Sequence, residues 1–445
     1  MVSESVHVPR TPAADRRLTE ALGAAAEDLP PPEHAEQFGA FFARYGDADI
    51  VLLGEATHGS SEFYRARAAI SRHLIQNCGF NIVAVEADWP DAARVDRYVR
   101  HGAPQANAGQ AFARFPSWMW RNQEVLDFAQ WLRAENAHRD ESDRVEFRGL
   151  DIYSLSTSIA AVLSYLEVVD PEAARMARRR YGCLTPWQAE PSAYGHYAAM
   201  GGETCEREVR AQLMALLMRR LEYAAQDGEP IFSAVQNARI VRTAEQYYRI
   251  MYQGSRESWN LRDRHMFDTL QQLMEYRPKA KAIVWAHNSH IGDAAATSMG
   301  WEGEFNIGEL CRTAYGNNVV AIGFGTDRGT VAAASDWDSP MEVKEVRPAR
   351  SDSYEYLFRH AGHARALTDW RSSARAELRD LLSAPRLERA IGVVYRPDTE
   401  LLSHYFRAVL NEQFDAYVWF ETTRAVTPLA AGHHVGMPET YPFGL

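Results

Sequence analysis

Apolar residues follow two different rhythms along the chain. Short β-branched runs read as strands: DIVLLGEA from Asp49, NIVAVEAD from Asn81, VEFRGLD from Val145, KAIVWAHN from Lys281, NNVVAIGFG from Asn317, AIGVVYR from Ala390 and DAYVWFE from Asp415. Longer stretches with apolar positions at helical spacing separate the early runs, as in the segment leading to Asn77. Near-continuous apolar strands alternating with helices predict an α/β fold, with a mixed, mostly parallel central sheet flanked by helices on both faces.

From Leu155 to Arg277 the strand signal stops, and LSTSIAAVLSYLEVV, CEREVRAQLMALLMRRLEYAAQ and SAVQNARIVRTAEQYYRIMYQ all show helical spacing. The pattern predicts a helical lobe over residues 155–277, inserted into a catalytic core made of 16–154 and 278–430. Tyr181 to Gly202 is rich in Gly, Pro, Tyr and Trp without a clear period, and is expected to be a loop or mobile cover. Residues 1–15 and the tail 431–445 are expected to lack stable order.

Composition narrows the class. Of 445 residues, 46% are hydrophobic and 24% charged, ordinary globular usage that argues against long disorder or repeats. Lys and Arg total 48 against 59 Asp and Glu, and the formal net charge of −11 disfavours a nucleic-acid or anionic-membrane partner. Cys78, Cys183, Cys205 and Cys311 are scattered without a CxxC pair, which favours a reducing compartment. With no apolar run of about 18 residues and no secretory h-region, the expected location is cytoplasmic.

Ligands of open parallel sheets bind beyond the carboxyl ends of the strands, so the residues that follow each run carry the chemistry. After IVLL come Gly54, Glu55, His58 and Gly59; after IVAV come Glu86 and Asp88; after FRGL comes Asp151; after AIVWA come His287 and His290. His58 stands at a strand-to-helix turn, with Ser60 or Ser61 positioned to cap the helix, and a neutral imidazole there can accept a proton from water with Glu55 or Glu86 orienting it. Its bland alternative is a loop histidine packed against the sheet. His287 and His290 suit either a metal or an oxyanion, against a pair hydrogen-bonded to backbone carbonyls. Arg67 lies two turns into the following helix, where it reaches an oxyanion or forms a surface ion pair with Glu62 or Glu86. Asn260, Arg262 and Asp263 form a polar cluster of the kind that usually marks a solvated helix start. Trp89, Trp118 and Trp120 flank strand ends and are candidates for an apolar ligand wall, although core packing is the commoner use of such residues.

No GxSxG, HExxH, GxGxxG or GxxxxGK[ST] occurs, which removes support for serine-hydrolase, zincin, dinucleotide and P-loop readings, and no cofactor is implied. A histidine- and carboxylate-rich site without a covalent nucleophile points to direct activation of water. Two alternatives stay open: a divalent-metal hydrolase using His58, Glu86, His287 and His290, and a non-catalytic protein binding a polyketide or sugar.

GEATHGSSEF, VAVEADW, GLDIYS, NLRDRHM and VWAHNSHIG, in this order, resemble the erythromycin esterase family, which hydrolyses the lactone of macrolide antibiotics. The resemblance runs from about Asp49 to Thr423 and implies a mixed α/β core with a helical lobe. It also implies His58 as the general base, with Glu55, Arg67, Glu86, His287 and His290 completing the catalytic set, and a small-molecule ester as substrate. Asp151, Asn260, Arg262, Trp89, Trp118 and Trp120 are the candidates for substrate binding.

Overall fold

A computed structural model describes residues 12–104, 111–112, 114–188, 190–224, 228–252 and 254–429. Most of both chain ends expected to lack order, residues 1–11 and 430–445, lies outside these. The described residues contain strands β1 (Glu27–Asp28), β2 (Ile50–Leu53), β3 (Ile82–Asp88), β4 (Glu146–Asp151), β5 (Ala282–Trp285), β6 (Val319–Ala334), β7 (Met341–Val346), β8 (Arg365–Asp369), β9 (Arg386–Arg389), β10 (Tyr405–Ala408) and β11 (Ala416–Thr423). Two compact units divide them: residues 12–79 with 286–426, and residues 80–285 with 427–429.

In the first unit β6 is the axis. β2 and β11 pair with it in parallel, β8 joins β11 antiparallel, and β1 joins β8 antiparallel. The second half of β6 carries β7 antiparallel, while β9 and β10 form a separate antiparallel pair. β2 is buried at every position, which explains its unbroken apolar run. The helices Ser61–Asn77 and Tyr354–His360 both pack on β11, and Tyr354–His360 also packs on β6. The helix Pro12–Ala25 orders residues 12–15 of the stretch expected to be loose, because Pro12 is compatible with a first turn and Leu18, Leu22 and Ala25 bury one face.

In the second unit β3 lies between β5 and β4, parallel to both. The helices Leu155–Val169, Pro171–Tyr181, Pro191–Ala199, Glu206–Ala224, Gly228–Ile250 and Ser255–Tyr276 belong to the same unit and share a core that includes Leu155, Val162, Val209, Ala238 and Tyr247. The fold is mixed α/β, with mostly parallel central strands flanked by helices.

Three expectations are corrected. AIGVVYR is not a strand: Ile391 and Val394 make only isolated bridges, and the ladder lies just before it, in β9. Tyr181 to Gly202 is not a loop, since residues 182–187 form a 3₁₀ segment and Pro191–Ala199 a helix. Aromatic packing replaces an amphipathic period there: Trp187 lies 6.1 Å from Tyr194 and 5.2 Å from Tyr197, and the Tyr194 hydroxyl donates to Glu245 at 2.5 Å. The cysteines are not all free thiols, because Cys183 and Cys205 form a disulfide with Cα atoms 6.0 Å apart. Among the described residues no helix is long and apolar enough to cross a membrane.

Candidate active site

β2 delivers its chain to Gly54 and Glu55, and the choice of glycine is steric: a Cβ at position 54 would stand 2.1 Å from Oδ1 of Asn288. The turn then places His58 before the helix Ser61–Asn77. Ser60 holds the N-cap position, but its hydroxyl bonds Thr57 at 2.5 Å instead of a helix amide. Gly59 permits a second close approach, since a Cβ there would meet the carbonyl oxygen of Ala332 at 2.0 Å. The turn is thereby pressed against β6.

Nδ1 of His58 lies 2.9 Å from Oε1 of Glu55. A carboxylate only accepts, so Nδ1 carries the proton and Nε2 is left as the basic nitrogen. The other carboxylate oxygen of Glu55 lies 2.7 Å from Arg67, and both residues are completely buried. The Arg67 guanidinium also stacks 4.4 Å from the Tyr64 ring centre, and the Tyr64 hydroxyl donates to the His58 carbonyl at 2.9 Å. His58 itself retains 8% exposure. Arg67 is therefore neither a surface ion pair nor directed at solvent: burial demands a counter-charge, and Glu55 supplies it. Glu62 pairs instead with Arg424 at 3.0 Å.

The HNSH segment follows β5 and forms the short helix Asn288–Ile291 with His287 as its N-cap. The Ser289 amide donates to Nδ1 of His287 at 3.2 Å, with the Ser289 hydroxyl 2.8 Å from the same nitrogen. An Nδ1 that accepts a backbone N–H places the neutral ring's proton on Nε2, making His287 a donor where His58 is an acceptor. The two rings lie 4.9 Å apart between centres, tilted by 51°. His290 is buried one turn on, at 2% exposure.

The second unit holds an ion cluster of its own. Arg262 reaches Glu86 at 2.7 Å and Asp151 at 2.6 and 2.9 Å, with its guanidinium 5.1 Å from the Tyr153 ring centre. Burial works against its charge, but Asp151, Tyr153 and Glu86 outweigh that and hold its pKa well above the ordinary arginine value. Asn260–Asp263 is thus not a solvated helix start. It falls in the second turn of the helix Ser255–Tyr276, with Asp263 fully buried and Asn260 half-buried.

The three tryptophans are buried. Trp89 is 1% exposed, donates to Ser233 at 3.2 Å, and has Phe232 at 5.9 Å and Arg148 at 5.4 Å from its ring. Trp120 is buried and donates to the Glu86 carbonyl at 2.8 Å, and Trp118 is buried against Phe115 at 5.3 Å. Among the described residues, the set with metal-ligand spacing is Asp96, His101 and Glu229, none of which was singled out from the sequence. Its carboxylates are already claimed by arginines, with Arg100 at 2.5 Å from Asp96 and Arg148 at 2.8 Å from Glu229.

The erythromycin esterase family model matches residues 75–423. The chain belongs to the erythromycin esterase family. Within this hydrolase family, the chain is 20% identical to YbfO of Bacillus subtilis (strain 168) over 401 residues, covering 84% of this chain and 83% of that one. It is 22% identical to erythromycin esterase type II of Escherichia coli over 321 residues, 68% of this chain and 75% of that protein. In three dimensions it resembles the crystal structure of a succinoglycan biosynthesis protein, with a TM-score of 0.76, 20% identity, and coverage of 94% of this chain and all of the other. That last likeness concerns the fold. The matched family span begins after GEATHG, so His58, Glu55 and Arg67 stand on their geometry and on the motif itself.

The residues that sequence reasoning overlooked are Tyr64, Ser289 and Glu388. Ser289 lies inside VWAHNSHIG, and Tyr64 directly follows GEATHGSSEF. Glu388 belongs to no motif, and its hydrogen bond to Asn288 spans 100 residues.

Proposed function

We propose that the protein hydrolyses an ester or lactone by direct attack of water, with His58 as the general base. The observation that carries this reading is the chain of contacts from Arg67 to Glu55 to Nδ1 of His58, at 2.7 and 2.9 Å. Glu55 fixes the tautomer and stabilises the imidazolium formed when Nε2 takes a proton, while Arg67 holds Glu55 in place. His287, with its proton on Nε2 and its ring beside that of His58, supplies a donor to the oxyanion, and His290 belongs to the same turn.

The steps balance without a cofactor. His58 removes a proton from water; the hydroxide adds to the carbonyl carbon; the tetrahedral oxyanion collapses, and the departing alkoxide takes the proton back from His58. One water is consumed, and one carboxylic acid and one alcohol appear. No enzyme nucleophile is acylated.

The substrate class we propose is a macrolide lactone or a related natural-product ester, a reading supported by family membership and by the likeness to erythromycin esterase type II. Incubation of the purified protein with erythromycin, other macrolides and simple lactones, followed by mass spectrometry, tests it. A gain of one water on a macrolide supports the class. Gain on simple lactones alone moves the substrate elsewhere while keeping the reaction. No gain on any ester refutes the hydrolase reading.

A further inference from the structure

Glu388 has no part in the chemistry above, yet it is a fully buried carboxyl bonded to the turn that carries two of its histidines. Its Oε1 accepts from Nδ2 of Asn288 at 3.1 Å. Asn288 is also fully buried, and its amide is otherwise consumed by β6: Nδ2 donates to the Phe324 carbonyl at 2.8 Å and Oδ1 accepts from the Phe324 amide at 3.2 Å. Its backbone N–H donates to the Glu55 carbonyl at 2.9 Å. One side chain thus fastens the HNSH turn to β6 while its backbone fastens the turn to the His58 segment. Glu388, reaching in from β9, completes the amide's bonds.

The surroundings of Glu388 explain how a carboxyl is tolerated there. Glu355, on the helix Tyr354–His360, is also fully buried and accepts from the Arg389 amide at 2.8 Å. Tyr417 on β11 and Gln413 face the same carboxyl, while the Arg389 guanidinium pairs with Glu400 at 2.8 Å. Burial, and then the neighbouring Glu355 charge, push the Glu388 carboxyl well above the ordinary range, against smaller opposing pulls from Gln413 and Asn288. Its Oε1 accepts from the Asn288 amide, so that burial does not leave this oxygen without a partner.

We propose that Glu388 is a positioning residue of the His58–His287 site, holding Asn288 so that the HNSH turn presents His287 in register with His58. The kinetic part of this proposal rests on the hydrolase reading; the positional part does not. A displacement of about 1 Å in a reacting group can cost on the order of 10²-fold in rate, so loss of this buttress is expressed in kcat.

Two variants separate the roles. Glu388→Met keeps the volume and removes the acceptor, and Glu388→Gln keeps a neutral acceptor. On an ester that the wild type cleaves, kcat is expected to fall at least about tenfold in Glu388→Met with KM nearly unchanged, and to return to within about threefold in Glu388→Gln. In ¹⁵N-histidine-labelled protein, the imidazole signals of His287 are expected to move in Glu388→Met and to stay in place in Glu388→Gln. If Met leaves both kcat and the His287 signals unchanged, or if Gln behaves like Met, the proposal is overturned. His287 signals that move as expected in a protein that cleaves no ester would sink the hydrolase reading and leave the positioning role standing. Should Glu388→Met not fold, Glu388→Asp, which withdraws the carboxyl by one methylene, replaces it in both measurements with the same expected losses.

Discussion

Arg67 and Glu55 form an ion pair 2.7 Å long from which solvent is fully excluded, and the other oxygen of the same carboxylate lies 2.9 Å from Nδ1 of His58. In the proposed reaction Arg67 acts through Glu55. Removing one member of such a pair strands the other, at a cost of about 3–5 kcal/mol. Arg67→Met is expected to lower unfolding free energy by that order and kcat with it, as read by denaturant titration and ester kinetics on the same preparation. A variant that lost turnover while keeping full stability would instead place Arg67 at the oxyanion.

Acid stability has a separate origin, in the second unit. Burial alone would raise the Asp96 carboxyl, but Arg148 and Arg100 outweigh it and hold it down at about 2. A folded-state value below the unfolded one gives stability that is present above the unfolded value and lost as pH falls through the folded one. The window is pH 4 to 2, and the contribution is about 2 kcal/mol. Asp96→Asn is expected to be less stable at neutral pH, with the gap to wild type closing across that window in urea titrations. A constant gap would contradict the assignment.

The disulfide between Cys183 and Cys205 closes a loop with a sequence separation of 22. Chain-entropy arguments assign such a closure about 3 kcal/mol. Peptide mapping without reductant is expected to recover the linked pair, and dithiothreitol to lower the melting temperature of the wild type but not of Cys183→Ser. An unchanged melting curve in reductant would show that the pair does not stabilise the protein.

Trp89→Ala is expected to cost about 3–5 kcal/mol of stability, the range for removing a buried indole. For protein that remains folded below its melting temperature, KM is expected to stay close to wild type. A raised KM with unchanged stability would return Trp89 to a ligand wall.

Much of this was legible in the pattern of residues. β2, β5 and the first halves of β3, β6 and β11 announce themselves because strands buried on both faces are mostly apolar, whereas β4 buries Glu146 and Arg148 as well, and the carboxyl ends of β2 to β5 name Glu55, His58, Glu86, Asp151 and His287. What the pattern hides is pairing. Nothing in the spacing of Arg262 distinguishes a solvated guanidinium from one held between Glu86 and Asp151, and those partners lie 176 and 111 residues away. Glu388 is hidden for the same reason, and Cys183 and Cys205 are scattered in sequence because a helix lies between them. β1, β8 and β10 are short and carry exposed or half-buried positions, so they lack the apolar run by which the central strands are read.

The central claim is that His58, set by Glu55, removes the proton from water. Its most direct test is single-turnover hydrolysis of a cleaved ester by His58→Ala, compared with wild type and with Glu55→Gln, on preparations shown by circular dichroism to be folded. The account predicts a loss of roughly 10²–10⁴-fold in the rate for His58→Ala, with Glu55→Gln also impaired. Near-normal turnover by folded His58→Ala would contradict it.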